Sequence, residues 1–257
     1  MNFLEMYSGS KIESGIWSFD LGKEFNGAFG GTNGGVLAAV AVHVAKQESS
    51  LRCPTSVDAR FIRGCPPGKV KVEISALNEG RTLSVYSVDI IGPNGKLCTR
   101  VGVTVAAADQ LASHISENID KEQPHFDETE AKDWAHPPDF KVPLIDSFKP
   151  TSCHQLHSST TRITIPWDDL DTAQEAACVV SDISVGPPVG RVVKGRAGIP
   201  NPDLTLRFSP ESQASKHVEA RCELVNLQRG QATTRIESWC GDRLLAIGVS
   251  TTTCIPQ

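Results

Sequence analysis

The chain runs through nearly the same pattern twice. In its first half, Ser56-Val57-Asp58-Ala59-Arg60-Phe61 leads into KVKVEISALNEGRTLSVYSVDI, a hairpin PNGK and then LCTRVGVTVA. In its second half, Pro202-Asp203-Leu204-Thr205-Leu206-Arg207-Phe208 leads into KHVEARCELVNLQRGQATTRIESW, CGDR and LLAIGVSTTT. Matching landmarks lie 147 (Phe61, Phe208), 150 (Gly80, Gly230) and 146 (Gly102, Gly248) positions apart. Loop-length changes produce slips of this size between two copies of one unit. Such a chain is constrained to fold as two similar modules, and two modules sharing an interface bury more surface than either alone. Copies that have diverged can build one working site at their seam.

The local patterns define those modules. Ile16–Leu21 alternates apolar and polar residues as a strand. The glycine-rich residues 25–35 open a predicted helix over 34–47, with Leu37, Val40, Ala41 and Val44 on one face. Three strand-like segments follow, punctuated by turns at 64–68, 78–80 and 92–95, and Pro93-Asn94-Gly95 is a hairpin signal. Residues 107–150 are polar, acidic and proline-bearing, which reads as a linker with Trp134 and Phe140 against a domain surface. Alternation resumes over 160–167. A second helix is expected from an Asp171 N-cap with Gln174 at N3, carrying Ala173, Ala176, Ala177 and Val180 inward and stopped by Gly186-Pro187-Pro188. The predicted class is α+β, a tandem (double) hotdog in which each half is a long helix wrapped by an antiparallel sheet. Its expected bounds are 1–110 for the first hotdog, 111–150 for the linker and 151–257 for the second.

Composition narrows the function. With 25 Lys and Arg against 30 Asp and Glu, the net charge of −5 provides no general basic field for nucleic acid or an anionic membrane. No basic leader precedes a long apolar run, and no stretch approaches the ~18 uninterrupted apolar residues of a membrane span. The eight cysteines are scattered through apolar segments with no CxxC and no metal-like spacing with histidine. They read as reduced, buried thiols, which places the protein in the reducing cytoplasm. Nothing matches a phosphate loop, a dinucleotide fingerprint, a zinc signature or a Gly-x-Ser-x-Gly elbow, so neither cofactor nor metal is expected.

FGGTNGGVLAA, ARFIRGCPPG, GRTLSVYSV and NGKLCTRVGVTVA resemble the N-terminal half of acyl-CoA thioesterases with two hotdog domains. SDIS, PDLTLRFSP and DRLLAIGVSTTT resemble their C-terminal half. The resemblance implies hydrolysis of an acyl-CoA or of an acyl chain on a carrier protein. Arg60, Arg63, Lys69 and Arg207 could meet the phosphates of coenzyme A, but as strand cations they read equally as solvated edge residues, and none is assigned. Exposed sheet edges leave association into a homo-oligomer open.

Thioester hydrolysis needs a base to activate water and donors aimed at the developing oxyanion. Asn33-Gly34-Gly35 opens the first helix, where backbone amides lack intrahelical partners; the same glycines would also serve close packing of helix against sheet. In related single-domain hotdog thioesterases, a His-Gly-Gly opening is followed, nine residues after the histidine, by an aspartate. Here that register runs from Asn33 to Val42, and from Asp182 back to Ala173. The first half keeps the glycines without the acid, and the second keeps the acid without the glycines. Gly34 and Gly35 with Asp182 would form the complete site, and Val42 with Ala173 a dead one.

Asp182 is the expected general base, with direct attack through an anhydride as the variant. A carboxylate late in a helix opposes the helix dipole, so it is either outward-facing or kept for a role. The resemblance supplies two polar partners: Asn201 where the family has threonine, and Ser250 where it has glutamine. Both depart from the family residue but can hydrogen-bond, and Thr205 and Thr251 are their neighbours should the register shift. His43 points ~100° from Val42 and reads as structural. His154 and His157 lie in a loop without an evident carboxylate partner. Two other functions fit the same fold: a non-catalytic binder of acyl or polyketide ligands, suggested by the departures at Asn201 and Ser250, and a dehydratase-like tailoring enzyme. The latter relies on a histidine–carboxylate pair, which neither helix offers.

Overall fold

Two apolar helices lie against each other, and strands from both halves of the chain wrap them. The computed structural model describes residues 1–256 apart from 51, 113, 116–125, 195–196 and 211–212. The first half comprises α1 (Phe3–Met6), β1 (Ser10–Glu13), β2 (Ile16–Leu21), α2 (Gly34–Glu48), β3 (Cys53–Phe61), β4 (Gly68–Glu79), β5 (Leu83–Ile91) and β6 (Leu97–Ala106). A connecting region follows with β7 (Lys132–Asp133) and α3 (Pro143–Phe148). The second half comprises β8 (Thr151–His154), β9 (Ser158–Thr164), α4 (Ala173–Ser184), α5 (Gly186–Val193), β10 (Ala197–Gly198), β11 (Asp203–Phe208), β12 (His217–Gln228), β13 (Gln231–Cys240), β14 (Arg243–Thr253) and β15 (Ile255–Pro256).

Among the described residues, thirteen strands form one sheet, joined at its centre by antiparallel pairing of β3 with β11, Thr205 facing Asp58. Outward from that pair the order is β3-β6-β5-β4-β2-β1 on one side and β11-β14-β13-β12-β9-β8 on the other. The two sequences of strands correspond one to one, with β7 added at an end. The long meander strands alternate burial, as in β5 and β13, because a strand offers successive side chains to opposite faces. Their inner faces close on α2 and α4, which pack on each other. Gly35 to Ala45 of α2 and every residue of α4 are buried. α2 is apolar over most of its circumference, as a core helix is, whereas α4 also buries Gln174, Glu175, Ser181, Asp182 and Ser184.

The stretch Ala173–Val193 is long and apolar enough to cross a membrane by length and composition, but 67% of its most apolar window is buried inside the protein.

Two local expectations are corrected. The N-cap of α4 is Thr172, not Asp171, and it forms no side-chain cap bond. Its hydroxyl instead receives Trp167 Nε1 at 2.7 Å and donates to the Asp169 carbonyl at 2.5 Å. Gly186-Pro187-Pro188 follows the end of α4 at Ser184 as expected, and it also opens a further short helix, α5, because prolines in a first turn forfeit no intrahelical bond. The connecting region also enters the core. Phe148 is fully buried, Trp134 Nε1 donates to Ser152 Oγ at 2.7 Å, and the Leu144 amide donates to the Asn26 carbonyl at 3.1 Å. All eight cysteines are free thiols, five of them buried.

Candidate active site

The site grows from the crossing of α2 and α4. The opening of α2 lies against the late part of α4, so Asn33, Gly34 and Gly35 meet Asp182. A Cβ on Gly35 would sit 2.6 Å from the Cys178 carbonyl oxygen and 2.7 Å from Asp182 Cβ. One on Gly34 would sit 2.6 Å from the Phe61 ring and 2.9 Å from Asp182 Oδ1. The glycines therefore serve packing and chemistry at once: they let two helix backbones approach, and the approach brings the first amides of α2 to the acid. The packing partners are α4 and Phe61.

Asp182 is only 6% exposed. The Asn33 side chain donates to its Oδ2 at 2.6 Å, and Asn201 donates to its Oδ1 at 2.6 Å. Asn33 is also the N-cap of α2, its Oδ1 accepting from the Val36 amide at 3.3 Å, so both ends of that side chain are committed. Burial raises the Asp182 carboxyl above its ordinary value, because an apolar setting disfavours the charged form. Asn201, the Gly35 amide, Asn33 and the Gly34 amide pull it back down. The residue is thus a carboxylate poised between desolvation and four donors.

Ser250 is not brought to the acid. Its hydroxyl donates to the Asp203 carbonyl at 2.7 Å, an oxygen that the Asn201 amide also approaches at 3.5 Å. Thr251 offers its backbone amide to Asp203 Oδ1 at 2.7 Å, and Thr205 lies at the β3–β11 seam. Of the strand cations, Arg60 pairs with Asp203 at 2.7 Å and Arg207 with Asp58 at 3.2 Å, both on the outer surface.

Asp182, Asn201, Asn33 and Gly34 open onto a cavity of about 900 Å³. Its walls include Phe61, Trp134, Val142, Leu144, Ile183 and Ile199. Arg63, Arg191 and His154 also border it. Trp134, Val142 and Leu144 come from the segment the sequence presents as a linker. They carried no periodicity to reveal them; the aromatic residue in an otherwise polar stretch was the usable signal. His154 bonds Ser159 Oγ at 2.9 Å, and burial, then Arg191 and Lys132, lower its basicity.

Neither helix by itself offers a histidine–carboxylate pair, but the two together do. His43 Nδ1 lies 2.9 Å from Glu175 Oε1, so a histidine–carboxylate pair exists, assembled between the helices rather than within one. Counted from the observed caps, Asp182 lies ten residues after Thr172, and His43 lies ten after Asn33. The counterpart of Asp182 is His43, not Val42. Among the described residues, no group of three or more His, Cys, Asp or Glu side chains is arranged to hold a metal ion.

The sequence model of the acyl-CoA thioesterase N-terminal domain matches residues 24–107. No curated protein matches the chain in sequence. Among solved structures, a thioesterase candidate from Novosphingobium aromaticivorans superposes with a TM-score of 0.80 at 16% identity, covering 95% of this chain and 97% of its own. A conserved hotdog-fold protein of unknown function from Alicyclobacillus acidocaldarius gives 0.76 at 15% identity, covering 97% and 96%. The acyl-CoA thioesterase II TesB2 of Mycobacterium marinum gives 0.70 at 14% identity, covering 98% and 96%. At such identities the structural likeness establishes the hotdog fold, and the family match adds the lineage of the first half. Together they show a hotdog fold whose residues 24–107 match the acyl-CoA thioesterase N-terminal domain model.

Proposed function

We propose that the protein hydrolyses an acyl thioester, carried on coenzyme A or on a carrier protein, with Asp182 as general base. The observation that carries this reading is the position of Asp182. It is a buried carboxylate on the wall of a largely apolar cavity of about 900 Å³, held by Asn33 of one half and Asn201 of the other. Asn33 and Asn201 hold one carboxylate oxygen each and the Gly34 and Gly35 amides also face the acid, so the attacking water reaches an oxygen by displacing one of these donors. The base takes a proton from that water as the water oxygen attacks the carbonyl carbon. The carbon–sulfur bond then breaks, and the thiolate leaves with a proton. The Gly34 and Gly35 amides, which face the carboxylate in the free protein, turn to the oxyanion when the substrate carbonyl enters, and the positive end of the α2 dipole favours the same charge.

The two halves are read as tandem hotdogs derived from an internal duplication, with bounds at 1–110, 111–150 and 151–257. The matching strand order outward from β3 and β11 supports this reading. Ser250 acts at one remove, steadying the Asp203 carbonyl beside Asn201. Eight free thiols fit a reducing, cytoplasmic setting. The test is thiol release from a panel of acyl-CoAs by the wild type and Asp182→Asn. A fall of ~10² or more in kcat, the usual scale for a lost general base, supports the assignment. Unchanged turnover in a folded variant overturns it, and ligand binding without thiol release by the wild type would instead make the protein an acyl binder.

A further inference from the structure

The other end of the α2–α4 pair has a cavity of its own, about 520 Å³, bordered by His43, Gln47, Gln174 and Thr172. Because the helices run antiparallel, it lies at the opposite end of the pair from Asp182. His43 is 6% exposed and Glu175 is fully buried. With Glu175 Oε1 accepting in the 2.9 Å contact, the His43 proton sits on Nδ1. That leaves the Nε2 lone pair on the Gln47 side, where the Gln47 amide nitrogen stands 3.5 Å away. The Phe3 ring stacks on the imidazole with centroids 4.5 Å apart and fixes its plane. A base, a carboxylate that orients it, a helix opening without a side-chain cap and a cavity are thus assembled in one place.

Packing does not require these atoms. Glu175 Oε2 is buried with no hydrogen-bond partner. A buried histidine–carboxylate pair with an unsatisfied oxygen is a costly filler, and apolar residues of similar volume usually serve stability as well or better. The neighbouring inward positions of α2 are Val40, Val42 and Val44. The pair is what acid–base chemistry needs and what core packing avoids.

We propose that this cavity is a second hydrolytic centre, in which His43 is the general base, Glu175 its positioning residue, and the substrate a thioester of a short, polar acyl group. The smaller volume and the mixture of Leu4, Pro54 and Leu170 with Asn2, Gln47 and Gln174 select against a long apolar chain. His43 Nε2 takes a proton from water as the oxygen bonds to the carbonyl carbon. The carbon–sulfur bond breaks, and the proton passes to the departing sulfur. One water is consumed, and one carboxylic acid and one thiol are released.

The experiment uses the full chain carrying Asp182→Asn, assayed by thiol release from acetyl-, lactoyl- and malonyl-CoA. Turnover above the uncatalysed rate is expected to persist. It should fall by ~10² on adding His43→Gln, and also on adding Leu170→Trp, which fills the cavity from a position 58% exposed and so spares the core. Adding Glu175→Gln should lower kcat with KM nearly unchanged, a split that a merely structural role would not give. Absence of turnover in Asp182→Asn on all three thioesters, or residual turnover indifferent to Leu170→Trp and Glu175→Gln, overturns the proposal even if His43→Gln fails to fold. Those outcomes leave the Asp182 assignment intact, whereas undiminished long-chain turnover in Asp182→Asn would strike that assignment alone.

Discussion

The side-chain amide of Asn33 donates to Asp182 at 2.6 Å across the boundary between the halves, while the same side chain caps α2 through the Val36 amide. One residue thereby couples the stability of a helix to the protonation of the acid. Asn33→Ala should lose ~0.5–2 kcal/mol of stability, the usual range for a lost cap. Removing a donor that lowers the Asp182 carboxyl should also move the acid limb of kcat/KM to higher pH. Asn33→Asp keeps a good cap but sets a carboxylate against a carboxylate, and two such groups in contact cannot both ionise readily. The acid limb should then move further, with less loss of helix stability. An Asn33→Asp enzyme whose pH–rate profile coincides with the wild type's would disconnect Asn33 from the acid.

Alanine at Gly35 sets two effects against each other. Relieving a helical glycine gains about 1 kcal/mol in intrinsic propensity, whereas overpacking a full core costs typically 1–3 kcal/mol. The obstacles at Gly35 are largely backbone, the Cys178 carbonyl and Val179 Cα, which can yield only if the helices move apart. Gly35→Ala should therefore be destabilising by roughly 1–2 kcal/mol. At Gly34 the obstacles are a Phe61 ring and one Asp182 oxygen. Gly34→Ala should unfold closer to wild type yet lose more turnover than its stability explains. Denaturant titration alongside thiol release separates the two.

These relationships show how far the sequence reaches. Spacing between glycine landmarks exposes the repeat, and the unequal halves single out Asp182 and Gly34 before any coordinates. Asn201 follows from the resemblance around PDLTLRF and does meet the acid. The Ser250 position does not, because strand register fixes which face a hydroxyl occupies but not which of two nearby carbonyls it chooses. His43 and Glu175 stay hidden for a different reason. Their pairing depends on the helix start, and Trp167 engages the Thr172 hydroxyl, a tertiary contact invisible to a capping rule. Carrying a nine-residue spacing onto Asn33 reaches Val42, whereas Asp182 lies ten residues after its own cap, and the same ten from Asn33 reach His43.

Asn201 and Ser250 should differ sharply in mutational cost. Asn201 donates directly to a charged oxygen, a bond worth about 1.5–3 kcal/mol. Asn201→Ala should lower kcat by roughly 10–100-fold, since each 1.4 kcal/mol is tenfold in rate. Ser250 makes a neutral bond to a carbonyl one residue group away, worth about 0.5–1.5 kcal/mol. Ser250→Ala should cost mainly stability, with kcat within about threefold of wild type. Equal losses of kcat in the two variants would place Ser250 on the reacting atoms after all.

The balance at Asp182 between burial and its donors is measurable through folding. Burial is the larger influence, and it raises the native carboxyl above the ordinary value of 3.8. As pH falls through the native value, the folded protein takes up a proton that the unfolded chain still refuses. The stability attributable to Asp182 must therefore increase toward acid, and it levels off below the unfolded value; the same stability is lost as pH rises through the native one. Asp182→Asn carries every other titrating group unchanged, so the difference in unfolding free energy between wild type and variant isolates this term. That difference should grow in favour of the wild type as pH is lowered from 7 toward 4, by about 1.4 kcal/mol for each unit by which the native value is raised. A difference that shrinks toward acid would mean that Asn201, Asn33 and the two glycine amides together outweigh desolvation. Asp182 would then be a tightly held anion rather than a poised base, and its affinity for a water proton would be too low for the chemistry assigned to it.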